Sequence, residues 1–154
     1  MEEKSKKKGC NAAAIVLAFC PDGSLILVLD PTKQDLHEGR QLRWKFSGGH
    51  VEEWDYPPGN RTDHARAAYS AGVRELLEET GAKVVLMKAF RRFVSQDGHV
   101  KTFFVACVDD SNLKARGNDG EYVKKFDPSR ALRTRRFLKE HKNILREAIE
   151  YIRS

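Results

Sequence analysis

Apolar residues bunch into short runs through the first part of the chain and settle into a helical stripe at its end. Residues 12–19 (AAAIVLAF) and 24–30 are two such runs, separated by Cys20-Pro21-Asp22-Gly23. Pro-Asp-Gly between apolar runs is turn chemistry, so the pair reads as a β-hairpin. Residues 31–40 are polar and loop-like. Residues 41–46 (QLRWKF) alternate and stop at Gly48-Gly49, which predicts a short strand closed by a glycine turn. Residues 52–61 hold Pro57, Pro58, Gly59 and Asn60, a cluster that reads as exposed loop. Thr62 is the expected N-cap of a helix reaching Thr80, with Gly81 as its stop. Residues 84–94 and 100–108 flank Gln96-Asp97-Gly98 as a second hairpin. Residues 109–120 form a polar loop, and 122–126 a last short strand. From Pro128 onward the pattern is helical. Ile144, Leu145, Ala148, Ile149 and Ile152 share one stripe, expected to cover the sheet.

Composition narrows the class. The 154 residues suit one domain, expected over 10–154, behind a flexible basic tail at 1–9. Hydrophobic residues at 40% and charged residues at 32% are too apolar for a disordered chain. No apolar run approaches the roughly 18 residues of a membrane-spanning helix. The 28 basic and 22 acidic residues give +6, which suits an anionic partner such as a phosphate compound or nucleic acid. Cys10, Cys20 and Cys107 form no C-x-x-C pair. This argues against a disulfide framework or zinc knuckle and for a reducing compartment, so a cytoplasmic location is expected. Basic residues 4–8 before an apolar run imitate a secretory signal, but Phe19 is bulky where cleavage needs small residues. The run is expected to be the first core strand instead.

The informative segment is Arg74-Glu75-Leu76-Leu77-Glu78-Glu79-Thr80-Gly81. On a helix turning about 100° per residue, Tyr69, Val73, Leu76 and Leu77 share a face, taken as the core face. Glu75, Glu78 and Glu79 fall opposite, at i, i+3 and i+4. Ala67, Ala68 and Ala71 are expected to leave the surface beside them small and open. Like charges at this spacing repel by a few tenths of a kcal/mol. A divalent cation that prefers oxygen, Mg²⁺ or Mn²⁺, would compensate.

Residues 74–82 resemble the second half of the Nudix box, the signature of Nudix hydrolases, with Ala82 as the last apolar position. Residues 43–52 look like the strand and turn that open the box, and the resemblance covers nearly the whole chain. It implies an α+β chain folded as an α/β/α sandwich with a mixed central sheet. Ser47 stands where many members have Pro. Arg74 lies 25 positions after Gly49, 11 more than the family spacing, and the 57–60 loop can absorb such an insertion because closure entropy grows slowly with length. The insertion hides the first box glutamate. Asp55 keeps the expected offset, and Asp63 sits near the helix start; either could do its work.

The resemblance further implies Mg²⁺-dependent hydrolysis of a nucleoside diphosphate linked to another group. Carried over by position, Glu75, Glu78 and Glu79 would be metal ligands, with the Gly49 carbonyl as an additional one. Arg74 would orient a carboxylate. Glu121, with Asp119 as its rival, looks like the family's late-loop carboxylate; the general base is Glu121 or a box glutamate such as Glu75 or Glu79. Candidate substrates are damaged nucleoside triphosphates, nucleotide sugars, dinucleoside polyphosphates and capped RNA. Membership is compatible with a monomer or a homodimer.

Weaker features surround this set. Arg43, Lys45 and Arg91 are candidate substrate-binding cations, with Arg40, Arg92, Lys101 and Arg116 behind them. Trp44 and Phe103 fit a core better than base stacking. The five histidines lack metal spacing: His37-Glu38 lacks the second His of H-E-x-x-H, and His64 reads as surface. Two rivals to the enzyme stay open. One is a Nudix-fold module that holds a nucleotide without cleaving it. The other is a basic RNA-binding protein using the Lys-rich tail and the arginines of residues 130–136.

Overall fold

The computed structural model describes residues 11–31 and 42–153. The expected tail at 1–9, Cys10, and the segment holding His37, Glu38 and Arg40 lie outside the described residues. Along the chain come β1 (Ala12–Phe19), β2 (Leu25–Leu29), β3 (Ser47–His50), a 3-10 turn (Glu53–Asp55), α1 (His64–Thr80), β4 (Lys83–Val94), β5 (Val100–Asp109), β6 (Tyr122–Phe126), α2 (Pro128–Arg133) and α3 (Lys139–Arg153).

The strands form one sheet in the order β4-β5-β1-β2-β6, with β3 also on β1. β1 runs parallel to β5 along its whole length. Its other edge is shared: β3 pairs antiparallel with Ala13 to Val16, and β2 with Ala18 and Phe19. The sheet is therefore mixed. The unbroken apolar run of β1 follows, because a central strand buries both faces. Ala14, Val16 and Ala18 meet Ala67, Ala68, Ala71 and Leu76 of α1 on one face. Ile15 and Leu17 meet Ala131 of α2 and Ile144, Leu145 and Ala148 of α3 on the other. The result is the expected α+β sandwich, helix on sheet on helix.

Several local expectations need correction. The pair Gly48-Gly49 does not close a strand at 41–46. It lies inside β3, because a side chain at Gly48 would collide with the backbone of β1: its Cβ would stand 2.5 Å from the Ala14 carbonyl oxygen. Trp44 and Lys45 make only isolated bridges, to Phe137 and Val28. The 52–61 segment is not all loop, since Glu53–Asp55 makes one helical turn and Asp55 is buried. The N-cap of α1 is Asp63, whose carboxylate accepts the Arg66 N–H at 3.1 Å, rather than Thr62. Gly81 ends the helix in the left-handed conformation, as expected.

The buried face of α1 also differs. Ala67, Ala68, Ala71, Gly72 and Leu76 face the sheet, while Tyr69 and Leu77 stay largely exposed. Small residues let the helix lie close to β1; a Cβ on Gly72 would stand 3.1 Å from Val16 Cγ2. The alanines expected to border open surface are thus the core contact. Finally, the C-terminal helix is broken. Residues 134–138 leave the helical path, Phe137 is buried edge-on against Phe46 at 5.5 Å, and the Leu138 N–H bonds the Trp44 carbonyl at 2.8 Å.

Candidate active site

The close fit of α1 on β1 brings its last two turns beside β3. Glu79 Oε1 accepts the Ser47 hydroxyl at 2.6 Å and the Gly48 N–H at 3.1 Å. The Glu75 carboxylate lies against Gly49, where an added Cβ would stand 2.5 Å from it. Only Glu78 points into solvent. The three glutamates therefore do not share the solvent face opposite the core, as the helical spacing suggested; two are turned toward a strand backbone.

Arg74 binds this cluster together. Its Nε and Nη2 donate to the two oxygens of Asp55 at 3.1 and 2.9 Å. Its Nη1 reaches Glu75 at 3.0 Å and Glu78 at 3.4 Å, and Nη2 also donates to the His50 carbonyl at 3.2 Å. The Asp55 bridge is a buried two-point fork, the strongest common form of this pair. Asp55, on the 3-10 turn, is thus the residue brought to Arg74, whereas Asp63 is spent on the helix N-terminus. The Asp55 pair raises the Arg74 pKa, with Glu75 adding to it.

Burial pushes the Glu79 carboxyl up to about 7. The Ser47 hydrogen bond opposes the shift, the negative charge of Glu75 adds to it, and the Gly48 N–H and Lys45 oppose it. So Glu75 and Glu79 sense each other's charge, and Lys45 is near enough to favour ionised Glu79. Arg43 lies two residues earlier on the same segment, half-buried. Arg91 is elsewhere: its guanidinium bonds Glu147 of α3 at 2.8 Å, on the far side of the sheet from α1.

Glu121 is buried and accepts the Asp119 N–H at 3.2 Å. The loop before it caps α1: the Lys114 N–H bonds the Thr80 carbonyl at 2.8 Å, and the Asn118 N–H the Glu78 carbonyl at 3.1 Å. Gly117 is the closest point, with no room for a Cβ between the Glu121 carboxylate and the Glu79 carbonyl. Residues 42 positions apart thereby meet at one helix end.

A cavity of about 510 Å³ opens further along α1, lined by Val51, Tyr56, His64, Ala68, Arg92 and Phe104 among others. His64, read as surface, hydrogen-bonds the Tyr56 hydroxyl at 2.8 Å. Phe103 is core and Trp44 half-buried beside it, as expected.

A model of the NUDIX domain matches residues 10–148. The chain belongs to the NUDIX family. Its enzyme class is accordingly a pyrophosphohydrolase. Among solved structures, a MutT described for Aliivibrio salmonicida and Vibrio cholerae is similar over 91% of this chain and 98% of its own, at 22% identity and TM-score 0.62. The Escherichia coli ORF135 protein matches over 96% and 94%, at 23% identity and TM-score 0.58. The NUDIX domain of Shewanella oneidensis NrtR, complexed with ADP ribose, matches over 92% and 87%, at 15% identity and TM-score 0.66. At these identities the likeness is one of fold. None of the curated proteins compared matches the chain.

Within the Nudix box, the 3-10 turn keeps Asp55 at its expected offset from Gly49 and delivers it to Arg74, while the extra residues fall between Asp55 and Arg74. Two contributors escaped the sequence reading. Ser47 was visible only as a departure from Pro, yet it holds Glu79. His141 carried no spacing signal, yet its ring lies directly behind the box strand.

Among the described residues, no three Asp, Glu, His or Cys side chains converge tightly enough to hold a metal ion as they stand. The donor set still suits a hard divalent cation. It offers carboxylate oxygens, and Glu75 disfavours the ionised form of Glu79, a repulsion that a cation between them would relieve. Among the described residues, no helix is long and apolar enough to cross a membrane.

Proposed function

We propose that this Nudix hydrolase cleaves the diphosphate bridge of a nucleoside diphosphate linked to another group, with Mg²⁺ or Mn²⁺ as cofactor. The observation that carries the reading is the apposition of Glu75 and Glu79 to the Ser47-Gly48-Gly49 backbone. Glu75, Glu79 and, after a rotamer change, Glu78 would hold the metal, with the Gly49 carbonyl as a further donor. The cation, when bound, neutralises bridge oxygens and lowers the pKa of water.

The chain's own groups supply the rest. Arg74 keeps Glu75 oriented while Asp55 neutralises and anchors the guanidinium. Glu79, with a carboxyl near 7, can hold or release a proton at neutral pH, which suits a general base; Glu121, at the same helix end, is the alternative. Lys45 and Arg43 flank the box strand and would draw in the anionic bridge. The cavity beside Val51 and Ala68 is of ordinary ligand size. Ala68 precedes Glu75 by seven residues, about 10 Å along a helix, a separation that lets a nucleoside occupy the hollow while its diphosphate reaches the glutamates. The NrtR domain's ADP ribose is of this chemical class. Two free thiols, Cys20 and Cys107, fit the expected cytoplasmic setting.

The test is a panel of nucleoside triphosphates, nucleotide sugars, dinucleoside polyphosphates and capped RNA, with Mg²⁺ or Mn²⁺, scored for bridge cleavage. Glu79→Gln is expected to lower turnover at least about 100-fold, and Glu78→Gln less. Equal turnover in wild type and both variants would overturn the reading. Because Arg74 holds Glu75 and Glu78 in ion pairs, a binding module is the second reading; it predicts nucleotide binding without cleavage. The RNA reading rests on exposed Arg130, Arg133, Arg135 and Arg136 and predicts steeply salt-dependent RNA binding without metal.

A further inference from the structure

Residues 44–46 are held from both sides like a strand. The Lys45 N–H and carbonyl bond Val28 of β2 at 2.9 and 2.8 Å. On the opposite edge, the Trp44 N–H bonds the Arg136 carbonyl at 2.5 Å, and the Leu138 N–H bonds the Trp44 carbonyl at 2.8 Å. By strand alternation, the Phe46 N–H must also point to that edge. There the chain has turned into α3 and offers no carbonyl. The His141 side chain takes its place: the Phe46 N–H donates to His141 Nδ1 at 3.0 Å.

The imidazole is fixed in that role. It is buried, stacks on the Phe46 ring at 5.0 Å with planes 7° apart, and meets the edge of Phe103 at 5.5 Å. Accepting at Nδ1 requires the neutral ring. Burial, with Lys45 and Lys101 adding to it, lowers its pKa to about 3; Lys101 is itself paired with Glu140. The residue after Phe46 is Ser47, whose hydroxyl, with the Gly48 N–H, holds Glu79.

We propose that His141 is a positioning residue for Glu79: by supplying the missing strand acceptor, it fixes Phe46 and so the placement of Ser47 and Gly48 against that carboxylate. Its catalytic consequence rests on the function proposed above; its structural content does not.

Three measurements on the full chain test it. In wild-type protein, a coupling across the hydrogen bond between the Phe46 amide nitrogen and His141 Nδ1 should be visible by NMR; its absence overturns the proposal. His141→Phe keeps a buried ring and deletes the acceptor. Its amide exchange at Phe46 and Gly48 should accelerate about 10-fold. With whichever substrate the panel turns over, kcat should fall about 5-fold or more with KM nearly unchanged. His141→Asn restores an acceptor near the Nδ1 position and should recover both. Should the Phe variant fold poorly, His141→Leu replaces it. Faster exchange that stops at Phe46 and leaves Gly48 as in wild type overturns the proposal, as does equal loss in the Phe and Asn variants. If nothing in the panel is cleaved, the proposed function fails while exchange at Gly48 still decides the role of His141.

Discussion

Gly48 and Gly49 are neighbours on β3, yet a methyl group on each would meet different things. At Gly48 it would face the Ala14 carbonyl oxygen at 2.5 Å and Ile15 Cα at 2.9 Å, backbone of the central strand that cannot yield. At Gly49 it would face the Glu75 carboxylate at 2.5 Å, the free end of a side chain. Gly48→Ala should therefore destabilise the fold by about 1–3 kcal/mol. Gly49→Ala should stay within about 0.5 kcal/mol of wild type while displacing Glu75 and abolishing metal-dependent turnover. Urea unfolding and the nucleotide assay together separate the two. Matching unfolding curves for Gly48→Ala and wild type would refute the close approach of β3 to β1. The pair was legible in the sequence as punctuation, but its reason was not: proximity to Ala14 and Glu75 is not written near residue 48.

At the scale of elements, the two helix layers use different chemistry against the same sheet. α1 approaches through Ala, Gly and one Leu. α3 stands off on Ile144, Leu145 and Ala148, all buried. The sequence stripe of α3 holds through Ile149, which packs against the core, whereas Ile152 is exposed. For α1, the expected face holds at Leu76, which is buried, and at Val73, which packs against the core, but not at Tyr69 and Leu77, because a close helix-sheet contact selects small side chains and moves large ones to the rim. Leu145→Ala should cost about 2–5 kcal/mol in chemical denaturation, as it opens a cavity in a fully packed site. Leu77→Ala, at 43% exposure, should cost less than about 1 kcal/mol. A large penalty at Leu77 would restore the face first expected.

For the whole molecule, pH dependence joins both faces of the sheet. His141 has its pKa lowered from 6.5 to about 3, so the unfolded chain binds the extra proton, and stability falls as pH drops from 6.5 toward 3. Glu79 has its pKa raised from 4.5 to about 7, so the folded chain binds the extra proton, and stability falls as pH rises from 4.5 to 7. Between 4.5 and 6.5 the two slopes oppose each other. Below 4.5 the His141 slope acts without that opposition, joined by the lowered carboxyls of Asp22 and Asp97, held by the Ser24 and Ser95 hydroxyls respectively in their own turns. In metal-free buffer, wild-type stability should therefore change little from 4.5 to 6.5 and drop steeply below 4.5. Glu79→Gln should exceed wild type at pH 8 by about 2 kcal/mol, a gap that closes near pH 4.5. Thermal unfolding in EDTA from about pH 3.5 to about pH 8 reads both slopes. A wild type that gains stability from pH 5 to 8 with no gap to Glu79→Gln would contradict the burial of that carboxylate.

The sequence by itself determined every strand but β3, the two hairpins, the span of α1 and its glycine stop, and the acidic segment from Arg74 to Gly81. Each is set by periodicity, turn residues or capping, which act within a few positions of one another. The tertiary structure decided which face of α1 is buried, that Asp55 rather than Asp63 meets Arg74, that Glu75 and Glu79 turn to β3, and that Glu121 reaches the end of α1. It also decided the break before α3 and the part played by His141. These contacts join residues 19 positions apart at Asp55 and Arg74, 32 at Ser47 and Glu79, and 95 at Phe46 and His141. Local pattern carries no information about such pairs, because the packing of α1 and α3 onto a common sheet is what brings them within bonding distance.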